Sequence, residues 1–525
     1  MYSYIIKNGL IVDGTNEVPY SADIAVKNDT IVKIGCIEEE AEQIIDVQGK
    51  IVTPGFIDIH CHSDAIVFFP GKNEKRLRQG FTTELTGNCG ISAAPVNSEY
   101  KEMLEKYCDP YYSCVPLPYN WNTFGEYLDE VEKNKPVLNT AAMIGHGSLR
   151  IAVSGFENRK LTEGEMEQMK CLLREALEDG AFGLSTGLIY PPGIFADEEE
   201  ILELAKVVKE YDGMYASHMR SESGGLIEAV QETIKIARFT EVNTEISHHK
   251  ANGKKNHGKV KKTLEIIAEA QAEGIPVHCD VYPYDAASTN FNSVLPPWAM
   301  EGGVEKLLLR LEDQELRARM IRDMKNEEPD YESFYQLAGW DKIIINECEI
   351  KAYEGKTVEE IACMQAKDPF ETALDIIKES RNNVMMIIFS MDSQDVARVL
   401  HSPYSILCTD GFASPGKTHP RYFSSFIRVL EKYVKEEHLL SLPEAIYKMT
   451  KMPADKIGIS DRGRLLEGCK ADILVLDLKK IHDNSNYNAH DALADGVDYV
   501  MINGQPAVEK GVWHPICAGK VLRRK

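Results

Sequence analysis

Hydrophobic and polar positions along this chain follow two different periods. In residues 4–12 and 22–34, β-branched residues recur without a helical period, and Asn8-Gly9, Asp13-Gly14 and Asn28-Asp29 interrupt them as turns. A small β unit is predicted there. From about 55 to 450 the pattern changes: short, continuously apolar runs are followed by longer segments of helical character. The clearest helices are expected over 162–179, 196–211, 225–239 and 259–274. The runs at 57–62, 82–89, 140–147, 182–187, 214–218, 244–248, 277–283 and 406–410 read as strands buried on both faces. Eight strands alternating with helices predict an α/β fold, a (β/α)8 TIM-like barrel. Residues 286–380 are too long for one connection and predict an inserted lobe. The run at 384–390 reads as a further strand with no place among the eight. β character returns from about 455, at 471–478 and 499–503, with turns at Glu467-Gly468 and Asn503-Gly504. The expected division is therefore a barrel over 55–454 and a small β-sandwich module built from 1–54 and 455–525.

Composition narrows the function. The 525 residues are 43% hydrophobic, enough for one large domain and a smaller one. The formal charge of −23, from 59 basic and 82 acidic residues, excludes the basic footprint of a nucleic-acid binder. The chain has neither a basic N-terminal segment leading into an apolar run nor an apolar stretch of about 18 residues, so no export signal and no membrane span are expected. The 12 cysteines are scattered, with no C-x-x-C pair, and read as mostly free thiols in a reducing compartment. The expectation is a cytoplasmic protein whose partner is a small molecule.

Chemistry collects at the ends of the apolar runs. Residues 54–62 read P-G-F-I-D-I-H-C-H, which puts His60 and His62 at i, i+2, on one face of a strand end. A lone H-x-H is more often two exposed histidines than a metal site. Four other residues change that balance: Cys89 in T-G-N-C-G, His218 in S-H-M-R, His248 in S-H-H-K and Asp410 in T-D-G. Imidazole and thiolate are zinc ligands, and a carboxylate serves as ligand or proton carrier. Six such residues on five strands are hard to explain as packing. His249 should point away from its neighbour, and His278 and Asp280 read as packing or supporting residues rather than ligands.

With these motifs together, the chain resembles the N-acyl-D-amino-acid deacylases, or D-aminoacylases, of the metal-dependent amidohydrolase superfamily. The resemblance spans nearly the whole chain, adding G-H-G-S-L-R at 145–150, S-T-G-L-I-Y at 185–190, D-V-Y-P-Y at 280–284, G-R-L-L-E-G-C-K-A-D-I at 463–473 and V-L-R-R at 521–524. It implies that Cys89, His218 and His248 hold a tightly bound zinc. His60 and His62 match a second metal site, with Cys89 placed to bridge both. Asp410 matches the catalytic base. Lys250, Tyr282, Ser288 and Arg421 match residues that hold the substrate's α-carboxylate; two cations and two hydroxyls suit that task chemically as well. The implied activity is zinc-dependent hydrolysis of N-acyl-D-amino acids. The D preference comes from the resemblance alone.

Two other readings compete. A cyclic amidohydrolase of the hydantoinase or dihydroorotase kind typically bridges its metals with a carboxylated lysine; here the lysine at a mouth-facing strand end is Lys250, directly after a ligand histidine, and Cys89 favours the deacylase. A non-catalytic barrel scaffold would have shed some of the six residues, and all are present. Glu84 departs from the family pattern, a carboxylate where an apolar residue is expected, and must be paired or reach the barrel mouth. Leu295-Pro296-Pro297-Trp298 is a candidate wall of the side-chain pocket.

Overall fold

The computed structural model describes all residues except 70, 72, 113–115, 414–415, 488–491 and 525. Its centre is a set of parallel strands in barrel order, here β1 Phe56–Asp58, β2 Phe81–Thr86, β3 Asn139–Ala142, β4 Gly183–Gly187, β5 Met214–His218, β6 Asn243–Ile246, β7 Val277–Val281 and β8 Ser405–Leu407. β1 to β3 pair in one sheet, and β4 to β8 pair in sequence in a second, joined at its edge by the short strand Ile144–Gly145 that continues β3. The ladder is thus two sheets rather than one unbroken ring. Hydrogen bonds span both gaps: Phe182 N donates to Ala142 O at 2.9 Å, Asp410 N to His60 O at 2.8 Å and His62 N to Gly411 O at 2.9 Å. Strands β2, β4 and β5 are buried at every position, as a parallel sheet covered by helices requires.

The expected helices form at Glu163–Glu178, Glu198–Glu210, Leu226–Thr240 and Lys259–Ala272. Thr162 and Glu165 cap the first reciprocally, and the Asp197 carboxylate caps the second through Glu200 N. The run expected as one strand over 140–147 turns helical at its end, because His146 begins the helix His146–Ser154. Between β7 and β8 the chain builds an antiparallel sheet of Ala287–Asn290, Ile343–Cys348, Lys356–Thr357 and Val384–Ile388. The unplaced run at 384–390 belongs to that sheet. The chain ends also share a sheet: Ile51–Pro54 pairs antiparallel with Ile473–Leu476, within one nine-stranded sheet among the described residues. Among the described residues, every cysteine is free and no helix is long and apolar enough to cross a membrane.

Candidate metal centre and its cavity

The C-terminal ends of five strands deliver the six predicted residues to one place. His60 and His62 follow β1, Cys89 follows β2, His218 ends β5, His248 follows β6 and Asp410 follows β8. This is the end where parallel barrels carry their chemistry. Cys89, His248 and Asp410 all have positive φ, at 53°, 35° and 46°, in a region non-glycine residues rarely adopt. Backbone turned this way bends each side chain in over the strand ends, and such strain persists where the surroundings enforce it. The T-G-N-C-G glycine explains the bend at Cys89. Gly87 has φ +75°, and a Cβ there would lie 1.9 Å from the Met143 carbonyl oxygen.

Ligand atoms of His60, Cys89, His248 and Asp410 all lie within 4.8 Å of one another. Cys89 Sγ is 3.3 Å from His60 Nε2 and 3.4 Å from His248 Nε2. Around a tetrahedral zinc, with Zn–S about 2.3 Å and Zn–N about 2.0–2.1 Å, neighbouring ligand atoms stand roughly 3.3–3.6 Å apart. The donor set therefore fits that ion. His218 packs edge-on to His248, with ring centroids 4.3 Å apart, and neither of its buried ring nitrogens has a hydrogen-bond partner. Two buried imidazole nitrogens left without partners beside a thiol are chemically suited to bind a metal. His62 and His60 reach Asp410 Oδ1 at 3.2 and 3.4 Å, so the i, i+2 pair does converge.

Electrostatics point the same way. Burial pushes the Cys89 thiol up, but the charges of His60 and His248 and the approach of the His218 and His248 imidazoles hold it well below its usual range. Burial disfavours charge on His62, yet Asp410 and Cys89 raise it to about 9. His60 is likewise driven well above its ordinary value against its burial, by Asp280 and Cys89. A field that draws protons onto buried imidazoles also draws a metal cation. Asp410, despite burial, is held well below the carboxylate range by Arg421, His248 and the two strand-end histidines.

Further carboxylates orient the ring. Asp280 lies 3.2 Å from His60 Nδ1 and accepts from His248 N at 2.6 Å, the supporting place expected of it. Glu222, which the sequence did not flag, is 2.8 Å from His248 Nδ1 and 2.5 Å from Lys250 Nζ. Burial opposes its charge, but Lys250, His248 and His218 hold its carboxyl well below the usual range. Lys250 also donates to the His248 carbonyl at 2.9 Å, so this lysine is already anchored. Arg421 pairs with Asp410 at 2.6 Å and donates to the Ser288 carbonyl at 3.1 Å, while its Nε has no protein partner. Tyr282 lies under the Arg421 guanidinium, 4.8 Å from ring centroid to Cζ. Ser288 Oγ donates to the Met386 carbonyl at 2.9 Å. His62, Cys89, His218, His248, Lys250, Tyr282, Ser288, Asp410 and Arg421 all border one cavity, and His60 is fully buried.

With that geometry in place, comparison with known proteins is decisive. A profile described as the amidohydrolase family matches residues 43–508. The chain belongs to the amidohydrolase family. A D-aminoacylase of Alcaligenes xylosoxydans xylosoxydans is 32% identical over 525 residues, covering 100% of this chain and 98% of the relative. A solved D-aminoacylase, studied for the functional role of its binuclear metal center, superposes with TM-score 0.83 at 32% identity over 100% of both chains. An N-acyl-D-glutamate deacylase of Bordetella bronchiseptica, complexed with zinc and a phosphonate mimic of the tetrahedral intermediate, superposes with TM-score 0.82 at 30% identity over 99% of both.

Glu84 takes the paired alternative of the sequence reading, while the cavity wall differs from it. Glu84 is a buried partner of Arg76, which also binds Asp58; it touches neither cavity nor candidate ligands. Trp298 stacks with Arg319 and donates to Asp323 at 2.9 Å, so the Leu295–Trp298 segment packs the inserted region and does not line the site. The cavity wall instead includes Tyr111, Tyr190, Thr289, Phe334 and Phe412. Of these, Tyr190 stood in the S-T-G-L-I-Y motif; the others carried no local signal. His249 points away as expected, 2.7 Å from Thr263 Oγ1.

Proposed function

We propose that this amidohydrolase cleaves the amide bond of N-acyl-D-amino acids, giving a carboxylate and a free D-amino acid, with zinc as its metal. The observation that carries the reading is the juxtaposition, in one cavity, of a Cys/His ligand cluster and a guanidinium with an unpartnered Nε. The first suits amide hydrolysis and the second a free carboxylate. The full-length relatives named above act on N-acyl-D-amino acids by their names, and one binds zinc.

Cys89, His218 and His248 would hold the tightly bound ion, and His60 and His62, with Cys89 shared, a second. Zinc at such a site supplies a water acidified from 15.7 toward about 7, and positive charge against the oxyanion. Asp410 receives the water proton and returns it to the leaving nitrogen, base first and acid second. Its ionised state in the resting site suits the first step. Arg421 Nε and Nη groups, with Lys250, Tyr282 and Ser288, hold the α-carboxylate. A substrate carboxylate would share Arg421 with Asp410, so binding loosens the Asp410 pair at the moment the base is needed. Asp280 and Glu222 keep His60 and His248 oriented.

The test is metal dependence on a linear substrate. Chelator-stripped protein should release no methionine from N-acetyl-D-methionine, and one equivalent of zinc should restore release. Full turnover by protein shown to be metal-free would contradict the reading.

A further inference from the structure

A second, narrow cavity lies behind the first, and the two share a wall: Tyr111 and Tyr190 border both. The wall is hydrogen-bonded. Tyr111 Oη and Thr289 Oγ1 are 3.3 Å apart, and the Thr289 hydroxyl donates to Tyr190 Oη at 3.0 Å. Three hydroxyls thereby link the helix Lys101–Tyr112, the strand Ala287–Asn290 and the loop after β4. On the near side the same rings face candidate ligands. Tyr111 is 5.6 Å from His62 and Tyr190 4.9 Å from His218, centroid to centroid. The far side is largely apolar, with Ile91, Tyr107, Phe156, Met300 and Val304. It extends outward to Lys106, which borders a further surface cavity together with Val304 and Asn382.

An N-acyl amino acid runs carboxylate, Cα, nitrogen, carbonyl, acyl tail. Arg421 and Lys250 contact Asp410, Tyr282 and Glu222, which places the carboxylate end. The carbonyl falls among the imidazoles and Cys89. The tail then continues past His62 and His218, where Tyr111 and Tyr190 stand. The amino-acid side chain hangs on Cα, before the scissile bond, so the cavity behind the tyrosines lies on the acyl side. We propose that this second cavity is a subsite for the apolar tail of an acyl group longer than acetyl, admitted when the Tyr111–Thr289–Tyr190 partition opens. The inference rests on the deacylase reading above.

The experiment is an acyl-length series on the zinc-loaded full chain: acetyl, butanoyl, hexanoyl and octanoyl amides of D-methionine and of D-glutamate. A fully buried methylene is worth roughly fourfold, and opening the partition offsets part of that, so kcat/KM should rise at least about tenfold from acetyl to hexanoyl. Val304→Trp fills the far cavity, away from the imidazoles; the acetyl substrate should stay within about twofold while the hexanoyl advantage disappears. Thr289→Val removes the hydroxyl that joins the two tyrosines and should raise the hexanoyl-to-acetyl ratio above wild type. Hydrolysis of acetyl substrates with a flat or falling series in wild type would overturn the inference, whether or not the variants fold. So would a folded Val304→Trp protein that keeps the hexanoyl advantage. No release at any acyl length would instead remove the deacylase reading itself.

Discussion

Asp410 sits between two imidazoles and a guanidinium, and every contact favours its ionised form. An ionised carboxylate so placed is able to accept a proton. Asp410→Asn should keep the metal, because Cys89, His218 and His248 remain, and lose a factor of about 10²–10⁴ in kcat. Metal analysis beside steady-state kinetics checks it; near-wild-type turnover would remove Asp410 from proton transfer. Cys89→Ala should instead lose metal, and full zinc occupancy in that variant would remove Cys89 from the ligand set. His62 gives a pH dependence. Raised to about 9, it keeps a proton at neutral pH that a second metal must displace. Below about 9, second-site affinity should therefore climb with pH, by up to roughly tenfold per unit for one displaced proton. Zinc titration of singly loaded protein at pH 6.5 and 8.5 measures it, and equal affinities would contradict the assignment. At this scale the sequence was most legible where a reactive residue ended an apolar run, as at Cys89, His218, His248 and Asp410. Glu222 escaped because Ser221-Glu222-Ser223-Gly224 looks like a solvated turn; its burial depends on Lys250, 28 residues on.

β1, β2 and the turn after β8 are locked together beneath the site by one cation. Arg76, fully buried, binds Asp58 at the end of β1 and Glu84 in β2, and Thr409, beside Asp410, donates through Oγ1 to Asp58 at 2.5 Å. Burial pushes the Glu84 carboxyl up and Arg76 pulls it back. Arg76→Met would leave two buried carboxylates facing one another and should lower unfolding free energy by about 3–5 kcal/mol. Denaturant unfolding at neutral pH measures this; a loss below about 1 kcal/mol would show that the ion cluster is dispensable. Glu84 shows why local pattern falls short at the level of elements. Its strand is buried at every position and its partner lies in the short helix Glu74–Leu77 before it, so no periodicity announced the pair. Strand order and helix spans were legible because a doubly covered parallel strand is continuously apolar. The short Ile144–Gly145 strand and the His146–Ser154 helix were not, because Gly145-His146-Gly147 continues an apolar run without a visible stop.

At the scale of the whole molecule, the two chain ends meet as expected, through Ile51–Pro54 against Ile473–Leu476, and the long β7–β8 connection carries its own sheet. That inserted sheet contributes Ser288 and Thr289 to the cavity, so the barrel strands and the insert line it jointly. Its aromatic wall was illegible in sequence: Tyr111, Phe334 and Phe412 come from three distant segments that only the fold brings together. The site and the full-length relatives together point to hydrolysis of linear N-acyl-D-amino acids. Paired N-acetyl-D- and N-acetyl-L-amino acids with apolar, acidic and basic side chains, offered to the zinc-loaded protein with amino-acid release as readout, test it most directly. Release confined to the D forms is the predicted result. Release from the L forms at comparable rates, or none from any linear amide by protein with zinc bound, would contradict it.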